Sequence, residues 1–527
     1  MSTAQRICDR NKGFQQSIDP ELLQIKREEH HIELRRNKRF ELSKKRRFAS
    51  SQTPTLSFSS DFSSFRPYLQ NLISNKRIIL ESCIEILKNN NQPSIIKEAL
   101  YITRKLLESI SEDSDLDIYV ELNYIPVFIH YLSQDYPKEI QFEASFALCS
   151  FATFDHNYVE MLVKNGAIRE CQLAISRDYD EIAENCIWCI GNIAGDNEKY
   201  REIIISEGIF DFLMDALQNI SVQNNKSPLV NVLVWVLSNI SRSANKIPDL
   251  TMRKLLNIVR PCLDLEDNDI IASVFWILNY STQGDSYCIE RILEAKYAPI
   301  IINYCDSHDY SIALPALKTL GNISSGNNAQ TELMLNLNAL EKLLNHIRSS
   351  QAVIRKEVYW ALSNFVGGSS AHVERVAQHL VIPLAMKGLT DEDHGVRVEA
   401  GWVFSNFGIR GSPECTISLI KNGFLNYLQQ ALDKETDPNT LKNLLVITKR
   451  ILEAASIKPQ EEKKENNICL KLFESSGCLA ALHKQLDHGN SFVNEFALKL
   501  LKEFFDYEEP EEELDIENAK ITKFEFS

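Results

Sequence analysis

The five tryptophans of this chain, Trp188, Trp235, Trp276, Trp360 and Trp402, follow one another at intervals of 47, 41, 84 and 42 residues, and 84 is twice 42. Four of them have an asparagine four residues later: Asn192, Asn239, Asn364 and Asn406. On a helix, a spacing of four puts the two side chains on one face, one turn apart. An indole face accepts the methylene stem of a lysine or arginine, and its cation–π attraction contributes roughly 0.5–2 kcal/mol per cation. A carboxamide donates and accepts at once, so it can grip the N–H and C=O of an extended backbone without reading its side chains. Carboxylates lie at matching offsets. Glu184, Glu357 and Glu399 precede a tryptophan by three or four residues, and Asp196 follows Asn192 by four. Such groups receive ammonium or guanidinium ends. A single tryptophan on a helix face is ordinarily core, but five in one register make a ladder suited to an extended, cationic peptide.

The elements that must carry this ladder repeat at about 42 residues. Phe146 (in FEASFALCSFA) and Arg104 (in KEALYITRKLLES) occupy the marker position one and two periods before Trp188. Lys318 (in LPALKTLGNISSG) lies midway between Trp276 and Trp360 and keeps its own Asn322. The 47-residue interval is one period plus an insertion at Gln218–Pro228. Each marker helix ends at a polar breaker such as GDNEK, GNNAQ or GGSSA. An apolar helix follows, then a turn such as Asn165-Gly166, Glu207-Gly208 or Asn422-Gly423, then another helix. Two or three helices per 40–47 residues match the armadillo/HEAT class, whose units bury their apolar faces only by stacking, and an all-α, right-handed armadillo-repeat superhelix is expected. About ten units are expected over 72–507, the last ones (LKNLLVITKRILEAAS, NEFALKLLKEFFDY) closing the stack without Trp-Asn.

Outside the repeats the composition changes. Residues 1–50 form a basic arm: between Lys26 and Arg47 there are ten basic and four acidic residues, although the whole chain carries −15. Residues 51–71 are a Ser-rich linker and 508–527 an acidic tail. The acidic average argues against bulk nucleic-acid binding. The twelve cysteines have no metal-ligand rhythm, and Cys186-x-x-Cys189 is expected to be buried structural thiol. No secretory signal or membrane-spanning apolar run is present, so a reduced, soluble intracellular protein is expected. Phosphate loops and nucleophile elbows are also missing, which argues against an enzyme or a cofactor.

With GNIAGD at 191–196, WVLSNISR at 235–242, PALKTLGNISSG at 315–326, EVYWALSNFVGG at 357–368 and EAGWVFSNFG at 399–408, the chain resembles the importin-α family. Tyr280, which replaces the asparagine after Trp276, also matches that family. The resemblance implies an adaptor between importin-β and cargo bearing basic localisation signals, shuttling between cytoplasm and nucleus. It implies recycling by an export receptor, indirect contact with the nuclear pore, and neither direct nucleic-acid binding nor membrane insertion. It assigns Glu184, Trp188, Asn192, Asp196, Asn231, Trp235 and Asn239 to a major cargo site, with Asp196 receiving a key lysine. Asn322, Thr331, Glu357, Trp360, Ser363, Asn364, Glu399, Trp402 and Asn406 fall on a minor site. Lys26, Arg27, Arg35, Arg36, Lys38 and Arg39 resemble the importin-β-binding arm, and Lys44, Lys45, Arg46 and Arg47 an autoinhibitory signal mimic. The competing class is an armadillo scaffold for signalling or adhesion, which generally lacks both the ladder and the arm.

The second repeat departs from that family. Phe146 and Ser150 stand where Trp and Asn are usual, Phe154 where Gly is usual, and Val159 where a threonine is. Ser273 replaces an acidic residue before Trp276. Loss of one amide clamp and one lysine acceptor is expected to weaken the major site by about 1–3 kcal/mol.

Overall fold

In a computed structural model, the described residues are 76–505 and 507, apart from the short stretches 109, 111–113, 178–180, 224–227, 284–285 and 457–467. The basic arm with Lys26–Arg39 and Lys44–Arg47, the 51–71 linker and the acidic tail lie outside the described residues. Among the described residues all regular structure is helical, which makes this an all-α armadillo fold.

The repeat beginning at His156 shows how the sequence builds one unit. A first helix, His156–Lys164, buries Tyr158, Val159 and Leu162 on one side. A second, Ala167–Arg177, buries Ala167, Ile168, Cys171, Ala174 and Ile175, the single apolar stripe of a helix with one covered face. The marker helix Glu181–Asp196 is buried almost all round, from Ile182 through Gly195. A helix apolar on every side must be interior. The marker helices therefore form the spine, and the two amphipathic helices of each repeat cover it.

Ten marker helices recur among the described residues, and they divide between two compact units separated after Gln330. The first unit holds Pro93–Glu108, Lys138–Phe151, Glu181–Asp196, Pro228–Ile240, Asn268–Ser281 and Tyr310–Ser324, each packed against the next. The second holds Ala352–Val366, His394–Arg410, Pro438–Ser456 and Ser491–Phe505, again packed in sequence. The inserted residues of the 47-residue interval lengthen one covering helix: Ile209–Gln223 has 15 residues, whereas Ala167–Arg177 has 11.

The breakers act as helix caps. Asn197 of GDNEK accepts the Tyr200 N–H at 3.1 Å, and Asn327 and Gln330 of GNNAQ cap each other's backbone N–H at 2.9 and 3.0 Å. Ser369 of GGSSA accepts from His372 N–H. Each replaces a hydrogen bond that the first turn of a helix lacks. Between the two covering helices the chain turns through the left-handed region, at φ +84° in Gly166, +75° in Gly208 and +85° in Gly423. Asn123, Lys296 and Asn338 hold the same turn at φ 63°, 59° and 61° without glycine.

Buried tyrosines tie one repeat to the next. Tyr124, Tyr131 and Tyr297 donate their hydroxyls to the carbonyls of Leu80, Leu87 and Leu256, each at 2.6 Å and across 41–44 residues of chain. Tyr297→Phe keeps the ring and removes the donor, leaving a buried carbonyl short of one partner. The substitution is expected to cost about 1–2 kcal/mol in urea denaturation of the full chain. An unchanged transition would mean that this tie adds nothing.

Candidate functional site

The register read from the sequence persists in space. Trp235, Trp276, Trp360 and Trp402 are all half-buried on their marker helices, as are Asn231, Asn239, Asn322, Asn364 and Asn406. Trp188 is more enclosed, 6% exposed, because Trp235 lies against it with ring centroids 4.5 Å apart and planes tilted by 43°. Asn192 is buried beside it.

A single hydrogen-bond rule holds these rungs. The amide four residues after the marker donates to the carbonyl three residues after the preceding marker. Asn239 Nδ2 donates to Gly191 O at 3.1 Å, Asn322 Nδ2 to Asn279 O at 3.2 Å, and Asn406 Nδ2 to Ser363 O at 3.1 Å. Asn322 also reaches Asn279 Oδ1 and Thr282 Oγ1. Each amide nitrogen carries a second N–H, and each Oδ1 can accept. The tie thus fixes the amide while leaving it the capacity to engage another backbone. Asn231 makes a longer link, 3.4 Å, to Asp267 Oδ1 in the next repeat.

Gly191 is a site residue that the ladder argument passed over. A Cβ there would come within 2.4 Å of Trp235 Cζ3 and 2.6 Å of Val236 Cγ2. The missing side chain lets the indole lie on the helix backbone. GNIAGD contains the signal, since a glycine inside a buried helix needs a packing reason.

The acidic residues separate into kinds. Glu184 is half-buried, whereas Glu357 and Glu399 are buried at 6% and 5% exposure. Thr331 and Ser363 are buried too, and Ser363 Oγ donates to Trp360 O at 2.7 Å. Asn322 belongs to the first unit, while Thr331, Glu357, Trp360, Ser363, Asn364, Glu399, Trp402 and Asn406 belong to the second. Asp196 ends its marker helix near two guanidinium groups: Arg201 donates to Ala194 O and Arg242 to Gly195 O, both at 3.0 Å. Burial, with Arg242 adding repulsion, pulls Arg201 down to about 10.

The second repeat has been rebuilt as packing. Ser150 Oγ turns back on its own helix to Phe146 O at 3.0 Å, so it does not reproduce the inter-repeat amide tie. Arg104 at the first marker position is buried, pairs with Glu143 and Glu108, and stands 4.7 Å over the Phe146 ring. Phe154 extends an aromatic cluster with Phe151 and Tyr158, at centroid distances of 6.3 and 6.4 Å. Val159 is fully buried. In the fifth repeat Tyr280 stacks on Trp276 at 5.6 Å and 26°, and Ser273 Oγ bonds within its own helix.

Cys186 and Cys189 are buried within the Glu181–Asp196 helix, and burial pushes the Cys186 thiol well above its ordinary value. Among the described residues no group of three or more His, Cys, Asp or Glu side chains is placed to hold a metal ion, and no helix is long and apolar enough to cross a membrane.

Comparison with known proteins agrees with this geometry. The family described as the importin beta binding domain matches residues 10–99. Importin subunit alpha-1b of Oryza sativa subsp. japonica is 29% identical over 50% of this chain and 48% of its own length. Probable importin subunit alpha-A of Dictyostelium discoideum is 27% identical over 61% of each chain. Importin subunit alpha-3 of Arabidopsis thaliana is 26% identical over 67% of this chain and 64% of its own. These relatives make the chain similar to the importin-α family. The similarity is modest, and the chain spans about half to two thirds of the length of these relatives. The crystal structure of an engineered protein superposes with a TM-score of 0.69 at 19% identity, covering 81% of this chain and 98% of that one, which supports the fold alone.

Gly191→Ala sets helix propensity against packing. Alanine gains up to about 1 kcal/mol in a helix interior, while forcing a methyl group into a filled space costs typically about 1–3 kcal/mol. At 2.4 Å from an indole carbon the clash should win. Urea denaturation is expected to show a net loss of about 1–2 kcal/mol, and a gain in stability would contradict the close packing.

Proposed function

We propose that this chain is a nuclear import adaptor. It holds basic localisation signals along the tryptophan–asparagine rungs and joins cargo to importin-β through the region of residues 10–99, which matches the importin beta binding family. The single observation that carries the proposal is the pairing of a half-buried indole with an amide tied to the preceding marker helix, Trp235 with Asn239 in the first unit and Trp402 with Asn406 in the second. Such a pair takes a cationic side chain and the backbone beside it. In this reading Glu184, Trp188, Asn192, Asp196, Asn231, Trp235 and Asn239 form a major site, and the second-unit residues around Trp360 and Trp402 a minor one. The adaptor shuttles between cytoplasm and nucleus, with an export receptor returning it.

The repeat-2 changes support a major site that is weaker than is usual in the family. Ser150 no longer offers an amide, and the Phe146 ring already carries Arg104. Cargo affinity then leans on the second unit. Replacing Trp360 and Trp402 by alanine should weaken a basic cargo peptide by about 1–3 kcal/mol, roughly tenfold to a hundredfold, by fluorescence anisotropy. Replacing Trp188 and Trp235 should weaken it less, and the reverse order would refute the weakened major site. Loss of importin-β binding on deletion of residues 1–60 is the companion result, and an intact chain that does not bind importin-β would favour the scaffold reading.

Lys44–Arg47 is a basic cluster joined to the repeats through the Ser-rich linker, and tethering gives such a segment an effective concentration that reaches millimolar for a short flexible linker. It competes for the same rungs as cargo. Deletion of residues 1–60 is therefore expected to tighten peptide binding, and an unchanged affinity would count against autoinhibition.

A further inference from the structure

The carboxylate of Asp196 is not left open to an incoming ligand. It lies four residues beyond Asn192 on the Trp188 marker helix, with its side chain 5% exposed, and His156 Nδ1 sits 2.5 Å from its Oδ2. Asn197 Nδ2 lies 3.4 Å from the same oxygen and 3.4 Å from His156 Nδ1. His156 opens the helix that follows the second marker helix, forty residues earlier, and stacks on Tyr200 at 5.8 Å and 20°. Its side chain is 54% exposed. The adjoining helix-end carbonyls, Ala194 and Gly195, are served by Arg201 and Arg242 instead. The imidazole is thus not needed to cap the helix. It covers one buried carboxylate from the solvent side, through a ring that could swing away. A buried carboxylate is costly unless something compensates it, and here the chain compensates it from within.

We propose that His156 is a specificity-determining residue that withholds Asp196 from the ammonium groups of a basic peptide, so that a lysine must displace the imidazole to reach the carboxylate. The inference rests on the peptide-binding reading of the rungs and names what sets the strength of the first-unit site. The imidazole at position 156, rather than damage to Asp196 itself, then lowers the response of this site to lysine.

The test uses the full chain carrying Trp360→Ala and Trp402→Ala, so that the first unit dominates, and a fluorescein-labelled hexalysine peptide read by anisotropy. His156→Ala is expected to tighten binding roughly tenfold, because a charge-assisted hydrogen bond becomes available. Asp196→Asn should abolish the gain in the His156→Ala background. If hexalysine binds in a Trp188-dependent way but His156→Ala leaves affinity unchanged or weaker, the inference is overturned and the adaptor reading stands. The same holds if Asp196→Asn leaves the gain from His156→Ala intact, since the carboxylate is then not what the imidazole withholds. If neither this protein, its His156→Ala variant nor the chain with all five tryptophans binds hexalysine, the peptide-binding reading fails and the inference falls with it.

Discussion

The amide that reaches from one marker helix to the carbonyl of the one before it is the interaction on which the rest of this structure depends. Asn239, Asn322 and Asn406 all obey the same offset, donating to Gly191, Asn279 and Ser363. Hydrophobic burial brings the marker helices together, but burial is non-directional and would tolerate sliding. A hydrogen bond at 3.1–3.2 Å does not. It sets the register between neighbours, and the tryptophan one turn earlier on the same helix inherits that register. In the proposed reading a structural tie and a ligand-facing group are therefore the same side chain.

This arrangement explains why the departures stay local. Each repeat contacts mainly its neighbours, so one altered rung can be absorbed without loss of the stack. In the second repeat Ser150 turns back on its own helix, and aromatic packing by Phe151, Phe154 and Tyr158 takes up the space. Arg104 over Phe146 and His156 on Asp196 show the same tendency: where the ladder is altered, the chain's own side chains stand on its aromatic and acidic groups. The second unit keeps the Trp–Asn pairs at Trp360 and Trp402. In the proposed reading function divides along the same line, with the intact pairs bearing more of the affinity.

Much of the fold was legible because the repeat is a periodic signal written in rare residue types. The tryptophan intervals, the asparagine offset and the turns at Gly166, Gly208 and Gly423 all have positions fixed by short-range geometry. Asn123, Lys296 and Asn338 hold the same turn without glycine, and only backbone dihedrals reveal it. Offsets of three or four located Glu357 and Glu399 on the tryptophan face, yet both are buried, because the neighbouring helix decides exposure and periodicity cannot. The contact between His156 and Asp196 joins two helix ends forty residues apart and leaves no trace in local spacing. Gly191 was visible as part of a motif, but its reason, the indole of Trp235, belongs to the next repeat.

Since all five tryptophans occupy one register, intrinsic fluorescence reports directly on whether the ladder is the ligand surface. Acrylamide quenching of the full chain would be measured with and without a saturating bipartite basic peptide, free of aromatic residues, whose binding is verified independently by calorimetry. If the rungs hold the peptide, quenching falls and emission shifts, and conversion of Trp360 and Trp402 to phenylalanine removes the larger part of both changes. If the peptide binds while quenching and emission stay as they were, it sits elsewhere on the protein, and the tryptophan–asparagine ladder is not its site.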